Sequence, residues 1–239
     1  MPSRKAEYHQ RAFSLPPDAT ELVIVRHGAS AAARPGEQHE MLEGRGNPPL
    51  ADTGVEQAAA VAERLGASGE EYAALYVTPL RRTHQTAVPI AGRTGLQPEV
   101  IEDLVEISLG EWEGGEFRIR AQEGDPLVVR ALAEERWDVL PGAESPEHIE
   151  QRVRRGLATL VERTGPGSRC IAVLHGGVIG EICRLATGSR PFAFIRADNC
   201  SITRVVVWSD PDLPWMLRSF NDTTHLEGVA QHVGGTTTA

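Results

Sequence analysis

Cysteine is scarce: Cys170, Cys183 and Cys200 are the only three in 239 residues. They form no Cys-x-x-Cys pair and no Cys/His metal spacing. An odd number of scattered thiols argues against a disulfide framework and for reduced core residues in a cytoplasmic protein. Positive charge is also in deficit, with 24 Lys and Arg against 33 Asp and Glu, a net charge of −9. Nucleic acid and anionic membrane are therefore poor candidates as partners. Any anion site must be built locally, from a few clustered Arg residues and backbone N–H groups. No apolar run approaches the ~20 residues of a membrane span. The polar stretch over residues 1–18 lacks the apolar segment of a secretory signal. There is no internal repeat and no carboxylate cluster of Mg²⁺ character. What remains is 41% hydrophobic and 24% charged residues, enough to bury the core of one generous α/β domain.

In chain order, residues 1–20 lack periodicity and read as a flexible leader that becomes ordered near Pro16-Pro17. Leu22 to Val25 form a short, β-branched apolar run, the pattern of a buried strand, and lead directly into Arg26-His27-Gly28. A long Gly/Pro-bearing loop follows over 29–50, and loops of that length are more often functional than idle. Asp52 or Thr53 can cap the next helix, whose apolar positions Val55, Ala58, Ala59, Ala62 and Leu65 recur at helical spacing. A second buried strand over 73–78 is broken by Pro79, and a helix is expected over 81–92. A short strand over 98–103 leads to Glu106. Residues 116–140 read as helical and solvated. Ser145-Pro146 is the start of a helix running to about Arg163 with Ile149, Val153, Leu157 and Leu160 on one face. A third buried strand, 169–174, ends in His175-Gly176-Gly177 and a helix follows over 178–186. Strands over 201–208 and 215–221, joined by 210–214, are expected to form a hairpin. Alternating strands and helices predict a mainly parallel sheet covered on both faces, a three-layer α/β sandwich.

The chemistry-bearing feature is a repeated ending. Two apolar strands each deliver His-Gly to the same sheet edge, at His27-Gly28 and His175-Gly176. In open α/β sheets ligands sit at that edge. Between them, Thr78-Pro-Leu-Arg-Arg82 is a further strand end and helix start, offering Arg81 and Arg82. Consecutive helical residues point ~100° apart, so at most one of these faces the site squarely. A phosphomonoester is a dianion, and guanidinium groups neutralise it bidentately. A neutral imidazole can then attack phosphorus, a second imidazole can donate to the transferring group, and a carboxyl group can give and retake the proton. Glu106, after a strand and before a Gly-bearing turn, is the candidate for that last role.

With these motifs quoted, the sequence resembles the histidine phosphatase superfamily, of phosphoglycerate mutase-like fold. Arg26-His27-Gly28 matches its opening signature, Leu50-x-x-x-Gly54-x-x-Gln57-Ala58 its next block, and Thr78-Pro-Leu-x-Arg82-x-x-Gln85-Thr86-Ala87 the segment with its second phosphate Arg. Leu104-x-Glu106 with Gly110-Glu-Trp-Glu-Gly114, then Pro141-Gly-Ala-Glu-Ser145 and His175-Gly-Gly177, complete the set in the family's order. The resemblance picks Arg82 over Arg81. It implies a domain over 21–226 with a small cap insertion at about 111–140, and a flexible tail over 227–239. His27, Glu106 and His175 are then the catalytic residues, and Arg26, Arg82, Gly28, Asn47 and Gly176 bind substrate. No metal or cofactor is implied. The partner is a small phosphorylated substrate rather than nucleic acid or membrane, and a homodimer follows only by analogy.

Three departures stand out. Ala33 occupies the position where the family often has a phosphate-contacting Asn, so either a neighbour such as Asn47 substitutes or the pocket is looser. Ala143 replaces a more usual Gly. Ile107-Ser-Leu-Gly110 stands where cofactor-dependent mutases carry Arg-His-Tyr-Gly, which favours hydrolysis over mutation. The alternatives are a cofactor-dependent phosphoglycerate mutase and an inactive phosphate-binding module. Trp112 is expected to pack or line the mouth of the site, His225 to be structural, and Glu144 and Ser145 to cap. Arg118, Arg120, Arg130 and Arg136 are read mainly as solvated charges of the cap, with one of them able to reach a distal phosphate or carboxylate of the substrate.

Overall fold

The computed structural model describes residues 9–208, 210 and 215–229. Parts of the expected leader (1–8), hairpin turn (211–214) and tail (230–239) lie outside them. Strand β1 (Ala19–Arg26) is buried along nearly its whole length, as a central strand of a covered sheet must be. A two-stranded ribbon, β2 (Met41–Leu42) and β3 (Arg45–Gly46), rises from the long loop. Then follow α1 (Asp52–Gly66), β4 (Ala74–Val77), α2 (Arg81–Thr94) and β5 (Pro98–Val100). The cap contributes α3 (Glu116–Glu123) and α4 (Pro126–Glu134). The chain closes with α5 (Pro146–Thr164), β6 (Arg169–Leu174), α6 (Gly176–Thr187), β7 (Ile202–Trp208) and β8 (Met216–Asp222).

The six-stranded sheet has the order β5-β4-β6-β1-β7-β8. β5, β4, β6 and β1 run parallel, and β7 pairs antiparallel with both β1 and β8. The side-chain period of two divides the core cleanly. Leu22, Ile24, Ala172 and Leu174 pack under α5 and α6, while Val23, Val25, Ile171 and Val173 pack under α1 and α2. This is the α/β sandwich expected from the alternation of elements.

Three local expectations are corrected. Ala58, Ala62 and Leu65 are buried as expected, together with Gly54, Gln57 and Val61, but Val55 and Ala59 face solvent. The helix is rotated because Gly54 must lie flat on the β1 exit: a Cβ there would stand 2.0 Å from the Ala29 carbonyl oxygen. Neither Asp52 nor Thr53 caps α1, which starts after Ala51 with no side-chain acceptor. The cap is not simply solvated. Trp112, Val128, Ala131 and Leu140 form a small third core with Phe117 and Trp137 against it. Gly124 breaks the segment in two with a left-handed φ of 73°, and Asp125 caps the second helix through the Leu127 N–H.

Candidate active site

β1 and β6 are adjacent and parallel, with Arg26 opposite Leu174. Their next residues are therefore His27 and His175, and the two rings meet edge to face with centroids 5.2 Å apart. The backbone around His27 is fixed from three sides. Its N–H donates to the Leu174 carbonyl, Asn199 Nδ2 donates to its carbonyl at 2.8 Å, and the Gly28 N–H donates to Thr86 Oγ1. Gly28 is glycine because a Cβ would stand 2.4 Å from the Gly54 carbonyl oxygen.

Nδ1 of His27 lies 2.8 Å from the Gly28 carbonyl oxygen. A carbonyl only accepts, so Nδ1 carries the proton and Nε2 holds the ring's lone pair. Arg82 Nε donates to that Nε2 at 3.2 Å, and Arg82 Nη1 donates to the Gly46 carbonyl. Burial, then Arg82 and Arg26, hold the His27 imidazole well below its usual 6.5, so it is neutral at pH 7. His175 is fully buried and is held down in the same way by burial, Arg82, His27 and Arg26. Its Nε2 lies 2.8 Å from Thr78 Oγ1, and its Nδ1 is buried without a partner.

His27 opens into a cavity of ≈ 510 Å³ that Arg26, Arg82, Glu106 and Gly176 also line, with the His175 ring buried behind it. Arg26 donates through Nη1 to the Ala197 carbonyl, while its buried Nε has no partner. Burial lowers the Arg26 pKa, against the pull of Glu106 and Asp198. Burial pushes Arg82 down to about 10. Glu106 Oε1 accepts the Ile107 N–H at 3.0 Å and Oε2 the Gly177 N–H at 3.4 Å, at the N-terminus of α6. Gly176 keeps this wall thin, since a Cβ there would stand 3.3 Å from Arg26 Nε. His27, His175, Arg26, Arg82, Glu106 and Gly176 are thus brought together as the sequence implied. Arg81 points away and pairs with Glu40 on the surface.

Two expected contacts fall elsewhere. Asn47 Oδ1 accepts the Arg81 N–H at 2.7 Å and so serves as the acceptor at the start of α2. It seats the helix that carries Arg82 and is not among the residues that line the cavity. Gly28 likewise offers no free N–H to a ligand, because Thr86 takes it; it acts through close packing.

The sequence reading missed several lining residues. Arg118, read as a solvated cap charge, faces the cavity from α3 and donates to the Ala31 carbonyl and to Ser30 Oγ. It is accessible to solvent yet ringed by protein, and that crowding together with Arg26 lowers its pKa. Arg45 donates through Nε to the Glu106 carbonyl at 2.7 Å. Its only sequence signal is a lone Arg between Gly44 and Gly46 in the long loop. Arg196, Asp198 and His39 also line the cavity. The least legible part is a buried strap behind Glu106. Arg152 donates through Nε and Nη2 to the two Glu144 oxygens at 2.6 and 2.9 Å, and through Nη1 to the Asp103 and Val105 carbonyls. Glu144 also accepts the Ser108 N–H. Glu144 is therefore an anchor, and only Ser145 acts as the expected N-cap, accepting the His148 N–H.

A pair of neutral imidazoles set among guanidinium groups at the carboxyl edge of a parallel sheet defines an anion-handling site of the phosphoglycerate mutase-like fold. The chain belongs to the histidine phosphatase superfamily (branch 1), whose model matches residues 22–223. It is 32% identical over 217 residues to a metal-independent phosphoserine phosphatase of Arabidopsis thaliana, covering 89% of this chain and 85% of that protein. It is 33% identical over 193 residues to a bifunctional protein of Mycobacterium tuberculosis. That match covers 80% of this chain, which spans about half, 51%, of the relative. Among solved structures, a mycobacterial glucosyl-3-phosphoglycerate phosphatase superposes with a TM-score of 0.69 at 28% identity, covering 86% of this chain and 100% of that one. A phosphoglycerate mutase from Bacillus anthracis superposes at 0.70 with 18% identity, over 88% and 96% of the two chains, a likeness of fold.

Proposed function

We propose that the chain is a metal-independent phosphomonoester hydrolase that works through a phosphohistidine on His27. The observation that carries this reading is the lone pair of a neutral His27 Nε2 standing beside Arg82 in a cavity shared with Arg26 and Glu106. Arg26 and Arg82 neutralise the phosphoryl oxygens, and the Nδ1–H of His175 donates to a third. His27 Nε2 forms the P–N bond as the ester P–O bond breaks, and Glu106 gives its proton to the departing alcohol oxygen. Water then attacks phosphorus, Glu106 takes a proton from it, and His27 leaves with its Nδ1–H still on the Gly28 carbonyl. Free phosphate and the alcohol are the products, and no metal enters either step.

A phosphoglycerate mutase would share the first step and pass the phosphoryl group to a second acceptor. Hydrolysis is favoured because Ile107 and Leu109, the side chains that follow Glu106 into the cavity, are apolar and offer nothing to hold a bound phosphoglycerate. The phosphate-binding module is disfavoured because binding alone needs neither a neutral nucleophile nor a proton carrier. The substrate is a small phosphorylated metabolite and the setting is the cytoplasm. Among the described residues no helix is long and apolar enough to cross a membrane.

The test is phosphate release from a panel of phosphomonoesters by the wild type, His27→Ala and Glu106→Gln, with acid-labile phosphoprotein trapped by rapid quench. Release that requires both residues, with label trapped on the wild type, supports the reading. Exchange between phosphoglycerates that depends on a bisphosphate and yields little free phosphate would establish the mutase instead.

A further inference from the structure

A second hollow, of ≈ 190 Å³, abuts the catalytic cavity. Four residues line both: Ile107, Trp137, Gly177 and Ile195. From Gly177 the hollow follows α6 past Gly180 to Arg184. Seven residues of α-helix rise about 10 Å, the length of a linker and a ring. Gly177 and Gly180 are one turn apart on the same helix face, so α6 presents bare backbone there. Neither glycine can gain a side chain freely. A Cβ at 177 would stand 2.7 Å from Ile107 Cδ1 and 2.8 Å from Glu106 Oε1, and one at 180 would stand 3.0 Å from the Phe194 carbonyl oxygen. The opposite wall is aromatic. Trp137 is fixed between Phe117, edge-on at 5.8 Å, and Phe192, tilted at 4.9 Å.

The charge of this trough is unlike that of the catalytic cavity. Arg184 is matched by Glu150 and Glu181, and Arg136 by Asp138. Glu135 pairs with Arg190. Glu147 is exposed on the rim and forms no ion pair among the described residues. The two arginines of the trough are both ion-paired and outnumbered by Glu135, Glu147, Glu150 and Glu181, so a second phosphate or a carboxylate entering it would meet net negative charge. An apolar body would lose water against Trp137, Phe192 and Ile195 without any polar group being stranded.

Resting on the phosphatase reading above, we infer that the alcohol portion of the substrate is an uncharged, mainly apolar group of about ring size that leaves the catalytic cavity over Trp137 and lies along α6. The trough begins beside Glu106, the residue that protonates the departing oxygen, so that oxygen is where the two compartments join.

The experiment compares kcat/KM for 2-phenylethyl phosphate, ethyl phosphate and phosphoserine. The first two release alcohols of similar acidity, so their ratio reads binding of the ring rather than leaving-group chemistry. The wild type is expected to favour the phenylethyl ester over ethyl phosphate by about 10- to 100-fold, the span that one apolar group in a pocket supports. Phe192→Ala, outside the catalytic cavity, is expected to reduce that ratio several-fold with the ethyl phosphate rate unchanged. Glu147→Lys, a surface change that needs no repacking, is expected to raise the rate on a phosphate ester ending in a carboxylate. A wild type that prefers phosphoserine to the phenylethyl ester, or a ratio near one, or a ratio that neither substitution moves, overturns the inference; the first outcome would assign a substrate carboxylate to Arg118 and Arg196. Release of no phosphate from any ester would instead defeat the phosphatase reading itself.

Discussion

Arg82 Nε and His27 Nε2 stand 3.2 Å apart, so the guanidinium occupies the lone pair that the nucleophile must free. In the proposed reaction a dianionic phosphoryl group entering between them would compete for the same N–H and release the imidazole as it binds. This contact makes Arg82→Lys a severe change. An ammonium lacks the planar fork that bridges the Gly46 carbonyl and the anion. We expect kcat/KM to fall by about 10²- to 10³-fold, the usual loss for one such donor. Arg81→Gln, one residue earlier but paired outward with Glu40, should leave the rate within about twofold. Steady-state kinetics of the two variants on one substrate checks both.

Thr78 sets the second imidazole. Its hydroxyl lies 2.8 Å from His175 Nε2 and 3.2 Å from Thr83 Oγ1, and the Thr83 hydroxyl is committed to the Thr78 and Leu80 carbonyls. The Thr78 proton can go to Thr83 Oγ1 or, over the shorter contact, to His175 Nε2; donation to Nε2 leaves Nδ1 as the N–H for the anion in the proposed reaction. Thr78→Val keeps the shape and removes the proton. We expect kcat to drop by about tenfold or more with a smaller change in KM, and ¹⁵N spectra to show that His175 loses its single tautomer. Thr78→Ser should restore both. A rate loss without the tautomer change would mean that the hydroxyl matters only for packing.

Both buried imidazoles also tie stability to pH. Their folded pKa values lie well below 6.5, so below pH 6.5 the unfolded chain binds protons that the folded chain refuses. Their contribution is fully present above 6.5 and is lost as pH falls. Two such groups add a slope of at most about 2.7 kcal/mol per pH unit, and one adds half of that. Urea unfolding of wild type and His175→Asn between pH 7.5 and 5 should show slopes that differ by about one proton. Equal slopes would refute the neutral, buried state of His175.

Much of this arrangement is legible in the sequence because it rides on regular elements. Buried strands advertise themselves as apolar runs, and the residues just after each run must sit at the sheet edge, so Val25 places Arg26 and His27 there and Leu174 places His175. The four core positions of α5 follow from spacing alone. The failures came where long-range contacts outrank local pattern. The buried face of α1 combines its apolar Ala58, Val61, Ala62 and Leu65 with a glycine pressed on the Ala29 carbonyl, and that glycine turns Val55 and Ala59 outward. Asn47 reads as a substitute for the Asn absent at Ala33, and its observed partner, the Arg81 N–H, is fixed only once the loop folds over α2. Arg118 looked like a solvated helix charge, because nothing local tells which face of α3 meets the cavity.

Glu144 is the case with the most to lose. It is buried, and burial alone would raise its pKa, but two hydrogen bonds from Arg152 hold it below the usual carboxylate range. Arg152 in turn clamps the Asp103 and Val105 carbonyls, and Glu144 the Ser108 N–H, so the pair brackets Glu106 from both sides along the chain. Glu144→Gln leaves Arg152 buried without its counter-charge, a loss of about 3–5 kcal/mol in unfolding free energy. Glu144→Gln with Arg152→Met removes both charges and should recover part of that stability, since an apolar pair avoids the uncompensated charge. It does not restore the clamp on the carbonyls around Glu106. Activity should therefore stay low in the double variant even where stability returns, with kcat reduced more than KM. Denaturation and kinetics measured on the same preparations separate the two effects. Full recovery of kcat alongside stability would show that the strap serves the fold alone and has no part in holding the proton carrier in place.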